Sequence, residues 1–260
     1  MLEERTLPDG VAALVSTRLE NDGFLIAFTE RSGGVSSGPY RSLNLGLSTG
    51  DDRESVRTNR RRACDALGLP PFAHPHQVHG ARMLRVGRAR AGAGFDEPAV
   101  ALEGADALFT TSINVPVAML AADCVPVALA EPRTGKLAVI HAGWRGLAAG
   151  VLGTALRRFD DPPEIRAAIG PAIGPDHYEV GEDVVRAVSA VTGRGAVTKR
   201  TGRRLFLDLP GTVARVLNER SVRSIERTDL CTACEADRFF SYRRDGATGR
   251  QALIAARLGP

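Results

Sequence analysis

Three short segments gather residue types that could do chemistry: His76-Gln77-Val78-His79-Gly80, Ala122-Asp123-Cys124-Val125-Pro126 and His141-Ala142-Gly143-Trp144-Arg145-Gly146. Imidazoles together with a thiolate form a borderline-soft donor set that suits zinc or copper. Three such ligands (Cys124, His141 and an imidazole from the first segment, His79 or the competing His76) would leave one position open, as catalytic rather than structural zinc does. A water held there would lose its proton near neutral pH. The same Cys124 and His141 also suit a metal-free hydrolase, with the thiolate as nucleophile and the imidazole as base. Asp123 could carry a proton, orient a ligand, or cap a turn. The three segments lie far apart along the chain, so only a fold can bring them together. Cys231 and Cys234 form a CxxC, but no second CxxC or HxxxH lies nearby to complete a tetrahedron. Cys64 falls in a helical pattern and reads as core; His74 and His177 read as surface or structural residues.

The elements that must position these residues follow from hydrophobic patterning. Apolar runs at 23–29, 115–121, 125–129, 137–141, 165–169, 205–209, 222–226 and 251–256 predict strands, with a short one at 83–86. Helices are predicted at 51–67, 146–159, 182–191 and 212–219. The first of these has Asp51 as its cap, Glu54 as the capping-box partner and Gly68 as its stop. The glycine-rich stretch at 31–38 lacks GK[ST] and is no Walker loop. Strands and helices interleave without strict alternation, and GxGxxG is absent. An α/β (α+β) fold with mixed β-sheets in one domain, residues 1–260, therefore fits better than a doubly wound sheet. Cys124 and His141 each fall at the end of an apolar strand, where α/β folds bind ligands.

Composition narrows the function classes. The chain has 260 residues, 43% apolar and 25% charged, which excludes a disordered polymer. No run reaches the ~18 apolar residues of a membrane span. The N-terminal Met1-Leu2-Glu3-Glu4-Arg5 carries no secretory signal, so the expected location is cytoplasmic. The net charge of +4 suits anionic ligands. All but two of the 34 basic residues are arginine, whose planar forks match phosphate. They are scattered and not interleaved with aromatics, which argues against nucleic-acid binding. Four cysteines in such a chain do not suggest a disulfide framework.

The chain resembles the laccase-domain family, also called YfiH-like or multicopper polyphenol oxidase, with members known as purine nucleoside phosphorylase or peptidoglycan editing factor. The resemblance rests on TERSGGVSSGPYRSLNLG (29–46), GDDRESVRTNR (50–60), QVHG (77–80), ADALFT (105–110) and ADCVPV (122–127). It continues through HAGWRG (141–146), IGPAIGPDHYEVG (169–181) and FFSYRRDGATGRQALI (239–254). Ala122 departs from the family's usual Thr. The resemblance implies an α/β/β/α layering and one metal, zinc with copper as the alternative, on His79, Cys124 and His141. It favours His79 over His76 because His79 falls in QVHG. It further implies phosphorolysis of purine nucleosides (adenosine, inosine, guanosine and S-methyl-5′-thioadenosine), accompanied by adenosine deamination. Catalytic roles are expected for Cys124, His141, Asp123 and Arg60. Phosphate or substrate binding is expected at Ser42, Asn44, Arg60, Arg145 and Arg243, with Arg31 and Arg41 as further candidates. Trp144 could stack a purine, and Cys231-Thr232 reads as packing near the site. The editing-factor label implies the rival Cys–His amidohydrolase acting on peptidoglycan precursors. The polyphenol-oxidase label implies copper chemistry, but five histidines are few for a trinuclear cluster. Small-molecule partners are expected, with no nucleic acid and no membrane. Monomer and homodimer both stay open.

Overall fold

A computed structural model describes residues 2–97 and 102–259. Two sheets lie face to face. The first has the order β1-β2-β3-β13-β6 and is antiparallel throughout. Its strands are β1 (Leu2–Thr6), β2 (Ala12–Ser16), β3 (Phe24–Thr29), β6 (Val117–Ala121) and β13 (Gln251–Arg257). The second has the order β12-β9-β7-β8-β5-β4. It contains β4 (Met83–Arg85), β5 (Ala107–Thr110), β7 (Val125–Glu131), β8 (Lys136–Ala142), β9 (Arg166–Ile169) and β12 (Ser224–Arg227). It is mixed, because β12 runs parallel to β9 and β4 parallel to β5.

The apolar runs are continuous because these strands are covered on both faces. Side chains alternate between two clusters with a period of two. In β7, Val125, Val127 and Leu129 face the helices, whereas Ala128 and Ala130 face the other sheet. Phe24, Ile26, Phe28, Met119 and Leu253 of the first sheet fill the space between the sheets. The outer face of the second sheet is covered by α3 (Trp144–Ala148), α4 (Val151–Leu156), α5 (Glu182–Ser189) and α6 (Leu209–Glu219). The outer face of the first is covered by α2 (Arg53–Ala66). The layering is α/β/β/α, as the resemblance implies. Close contact of two sheets and two helical layers buries 70 hydrophobic residues; among the described residues Val35, Val78 and Tyr242 are the large ones exposed.

Several boundaries differ from the sequence reading. The cap of α2 is Asp52, whose carboxylate accepts from Ser55 N at 2.9 Å. Asp51 instead accepts from Ser36 Oγ and Asn44 Nδ2, and Glu54 pairs with Arg57. The helix expected at 146–159 is broken into α3 and α4, because Gly150 between them adopts φ 83. The strand expected at 205–209 is β11 (Arg204–Leu207), since Asp208 caps α6 by accepting from Gly211 N. β11 pairs with β10 (Thr198–Thr201) as a separate hairpin, and α1 (Thr17–Asn21) and α7 (Tyr242–Asp245) are single short turns. No helix among the described residues is long and apolar enough to cross a membrane.

Candidate active site

The strand register of the second sheet builds the site. In the β7/β8 pair Val125 faces Ala142, so the next step outward sets Cys124 beside Gly143. In the β5/β8 pair Ala107 faces Ile140, so the next step sets Asp106 beside His141, whose N–H donates to Asp106 O at 2.8 Å. Antiparallel pairing brings the starts of β5 and β7 and the end of β8 to one edge. Parity then points Asp106, Cys124 and His141 the same way as Leu108, Ala128 and Val139, toward the other sheet. The site therefore lies at the mouth of the seam between the sheets.

His79 arrives from the loop before β4, and Asp106 holds that loop. Its fully buried carboxylate accepts from Val78 N (3.1 Å), His79 N (2.9 Å) and Gly80 N (2.7 Å). This accounts for the left-handed backbone of His79, at φ 58: three successive N–H groups converge on one anion. The same carboxylate lies 2.9 Å from His141 Nδ1. An ionised carboxylate only accepts, so Nδ1 carries the proton and Nε2 is the free donor atom. Upstream, Gln77 fixes the loop by exchanging two amide hydrogen bonds with Leu120 of β6.

The donor atoms of His79, Cys124 and His141 lie within 4.8 Å of one another. The two rings meet edge to face, with centroids 4.8 Å apart. Burial of Cys124 by itself raises its thiol pKa. The adjacent His141 and His79 imidazoles outweigh that and pull it well below the ordinary thiol range. Burial lowers His141, while the Cys124 thiolate and Asp106 outweigh it and raise it. The two shifts share one cause, the mutual attraction of the Cys124 sulfur and the His141 ring. Three donors in this arrangement fit a zinc-type ion, and a hydrogen-bonded carboxylate behind one imidazole is the usual way such a ligand is oriented. Gly143 makes the space: a Cβ there would come within 2.9 Å of Cys124 Sγ and 3.1 Å of His79 Cδ2.

The cluster opens into a cavity of about 610 Å³, within the range of small-molecule sites. Its walls include Arg60, Arg145, Arg243 and Arg250, with Trp144, Tyr178 and Tyr242 as aromatic surfaces. Arg145 stacks on Trp144 at 4.6 Å and Arg243 on Tyr178 at 4.9 Å. Burial and the nearby Cys124 thiolate push Tyr178 up to about 12, so its phenol stays a hydrogen-bond donor.

Not every residue singled out from the sequence reaches this cavity. Ser42 and Asn44 do not line it. Ser42 Oγ donates to Arg31 O and accepts from Gly34 N. Asn44 is fully buried, donates to Thr49 and Asp51, and accepts from Gly46 N and Arg250 N. Both spend their polar atoms on loop structure rather than presenting them to the cavity. Arg31 is likewise tied to Arg41 O and Ala236 O outside the cavity, and Arg41 does not line it. Arg60 borders the cavity, but its Nε and Nη1 are committed to Leu45 O, Gly94 O and Phe95 O, joining three loop carbonyls. Asp123, at φ 97, accepts from Thr232 Oγ1 and Arg243 N, both at 2.7 Å. It is thus a turn anchor with both carboxylate oxygens engaged. His76 lines the cavity but lies outside the three-donor cluster.

Sequence reasoning missed Asp106, Gly143, Arg250 and Tyr178. The available signal for Asp106 was an acidic residue just before a wholly apolar strand in ADALFT, where an unpaired charge would be costly. Arg250 stood within a quoted motif without being separated from its neighbours.

Residues 25–257 match the family model described as multi-copper polyphenol oxidoreductase laccase. The chain belongs to this family. It is 37% identical over 256 residues to purine nucleoside phosphorylase YlmD of Geobacillus stearothermophilus, covering 90% of each chain. It is 39% identical over 250 residues to purine nucleoside phosphorylase YfiH of Escherichia coli K12, covering 94% of this chain and 93% of the relative. The crystal structure of the Geobacillus YlmD superposes with a TM-score of 0.91 at 36% identity, covering 95% and 96% of the two chains. The Neisseria meningitidis protein NMB0706 superposes with a TM-score of 0.80 at 37% identity, covering 91% and 95%. The fold is that of the laccase-type family, and the relatives' names point to an enzyme of the purine nucleoside phosphorylase kind.

Proposed function

We propose that this chain is a zinc-dependent purine nucleoside phosphorylase. Its substrates would be adenosine, inosine, guanosine and S-methyl-5′-thioadenosine, with adenosine deamination as a side activity. One observation carries the reading: a three-donor His–Cys–His cluster shares a single cavity with four arginines and three aromatic side chains. The names of the relatives support the substrate class.

In phosphorolysis a phosphate oxygen bonds to C1′ of the ribose while the C1′–N9 bond breaks. The base leaves with the electron pair and takes up a proton. The protein must hold an anion next to a carbon that is becoming positive, and stabilise the departing base. Arg145 and Arg243 present permanently charged forks on aromatic supports, which limits the freedom they lose on gripping phosphate. Arg250, half-buried and donating to Thr248 O and Gly249 O, adds positive potential at the cavity wall. Arg60, also on the wall, adds to it. Trp144 and Tyr242 offer flat surfaces for a purine, and the protonated Tyr178 is a donor toward substrate. His79, Cys124 and His141 would hold the metal, which when bound supplies a Lewis acid for a substrate oxygen or a water. Asp106 keeps His141 in the ligating tautomer.

The test is incubation of purified, zinc-loaded protein with inosine and phosphate, following hypoxanthine and ribose 1-phosphate. Cys124→Ala should abolish turnover, and Arg145→Ala should raise the KM for phosphate more than it lowers kcat. Full turnover by Cys124→Ala overturns the reading. Release of ammonia from adenosine without phosphate tests the deamination.

A second reading has its own support. Cys124, His141 and Asp106 line up as nucleophile, base and orienting carboxylate, the arrangement of a cysteine hydrolase. Such an enzyme, acting on amides of peptidoglycan precursors, would stay active after chelation. The phosphorylase would not. A copper oxidase has less support, because the two His/Cys groups among the described residues contain three imidazoles in all.

A further inference from the structure

Behind the cavity wall lies a second cluster that the mechanism does not use. His177 Nδ1 sits 3.8 Å from Cys231 Sγ and 3.6 Å from Cys234 Sγ, and all three atoms lie within 4.8 Å of one another. The sequence hid it: CxxC lacked a local partner, and the missing imidazole comes from a loop 54 residues away from Cys231. We propose that His177, Cys231 and Cys234 form a second metal site, for a zinc-type ion, that clasps the rim of the cavity.

The local structure is arranged for a thiolate. Gly174 N donates to Cys231 Sγ at 3.1 Å. A Cβ on Gly174 would meet Cys231 Cβ at 3.2 Å and Sγ at 3.3 Å, so the loop approaches the sulfur closely only because it carries glycine there. Cys231 O accepts from Cys234 N and Glu235 N, forming a tight turn that swings the second sulfur back beside the first. Two thiolates neutralise a divalent ion, and two sulfurs with one imidazole suit a tetrahedral d¹⁰ ion whose fourth position goes to solvent at this exposed edge.

The site joins two segments that shape the cavity. The residue after His177 is Tyr178, and Arg243 Nη1 donates to both His177 O and Glu179 O. The residue after Cys231 is Thr232, which donates to Asp123 next to Cys124. An ion held here would therefore fix the Tyr178 wall relative to the turn that carries Cys124. The proposal does not depend on the chemistry at His79, Cys124 and His141.

The experiment uses the full chain carrying Cys124→Ala, so that the first cluster is disabled, with Cys124→Ser as a second version if alanine impairs folding. Titration with Co²⁺ should produce thiolate-to-cobalt absorption, and zinc loading should give one ion per chain. Adding Cys231→Ser and Cys234→Ser should remove both signals, and His177→Ala should weaken binding by more than about tenfold, since losing even a ligand's hydrogen-bond partner costs that much. Zinc should also slow amide exchange at 174–180 and 231–235. Absence of cobalt absorption in the folded Cys124→Ala protein overturns the proposal, as does a Cys231–Cys234 disulfide that persists under reducing conditions with excess zinc. If the chain with only Cys231→Ser and Cys234→Ser binds no ion while Cys124→Ala binds one, this proposal stands and the first cluster's assignment falls.

Discussion

Asp106→Asn should uncouple the candidate site from the fold that holds it. The native carboxylate takes four hydrogen bonds: Oδ1 from His79 N and His141 Nδ1, Oδ2 from Val78 N and Gly80 N. An amide of the same shape keeps one oxygen. In either orientation two of the four donors face an NH₂ group. With its oxygen toward Val78 and Gly80, the amide N–H drives His141 to accept at Nδ1, which puts the proton on the nitrogen that should ligate. With the opposite orientation the loop carrying His79 loses two of its three anchors. Hydrogen bonds to a charged partner contribute about 1.5–3 kcal/mol each, so losing two of them at a buried site should cost about 3–6 kcal/mol. Disturbing the partner of a ligating imidazole should weaken zinc by about 10- to 100-fold. Urea unfolding of the metal-free protein measures the first effect, and competition with a chromophoric chelator the second. A variant with the wild-type urea midpoint and wild-type zinc affinity would refute the idea that Asp106 organises the site.

Gly143→Ala should leave the circular dichroism unchanged yet remove metal from the first cluster, because the new methyl would intrude on Cys124 Sγ and the His79 ring; elemental analysis of the variant combined with Cys231→Ser and Cys234→Ser checks it. Iodoacetamide should modify Cys124 only after chelation, whereas Cys64, whose thiol burial pushes up to about 12, should stay unmodified until the chain unfolds; peptide mass mapping separates the two. His74 is held down to about 3 by burial, so below pH ~6.5 the unfolded chain binds a proton that the folded chain refuses. Stability should therefore fall as pH drops from about 6.5 toward 3. Because part of the ring borders the cavity, the loss between pH 7 and pH 5 should be about 1–2 kcal/mol, and His74→Gln should remove that share of the slope in urea midpoints.

The interior of the fold was legible because uninterrupted apolar runs such as VPVALAE and LAVIHA can only be doubly covered strands. β1 was not, since LEERT sits at a sheet edge with its charges in solvent and carries little apolar signal. The break at Gly150 was missed because apolar periodicity continues across it from Leu147 to Val151. At the site, His79, Cys124 and His141 stood out as rare residue types beside strand ends. Asp106 did not, because its role depends on three backbone N–H groups and an imidazole that only the register brings to it. Ser42 and Asn44 show the converse: polar residues in a loop look available until the loop's own N–H groups and carbonyls are seen to use them.

Cys124 belongs to the short connection by which the chain leaves β6 in one sheet and enters β7 in the other. His79 is moored through Gln77 to β6, while His141 ends a strand of the opposite sheet. All three ligands hang on the second sheet and its loops, while Gln77 and the β6–β7 connection tie them to the first. An ion captured there would act as a rivet where the two sheets join, resisting their separation at that end.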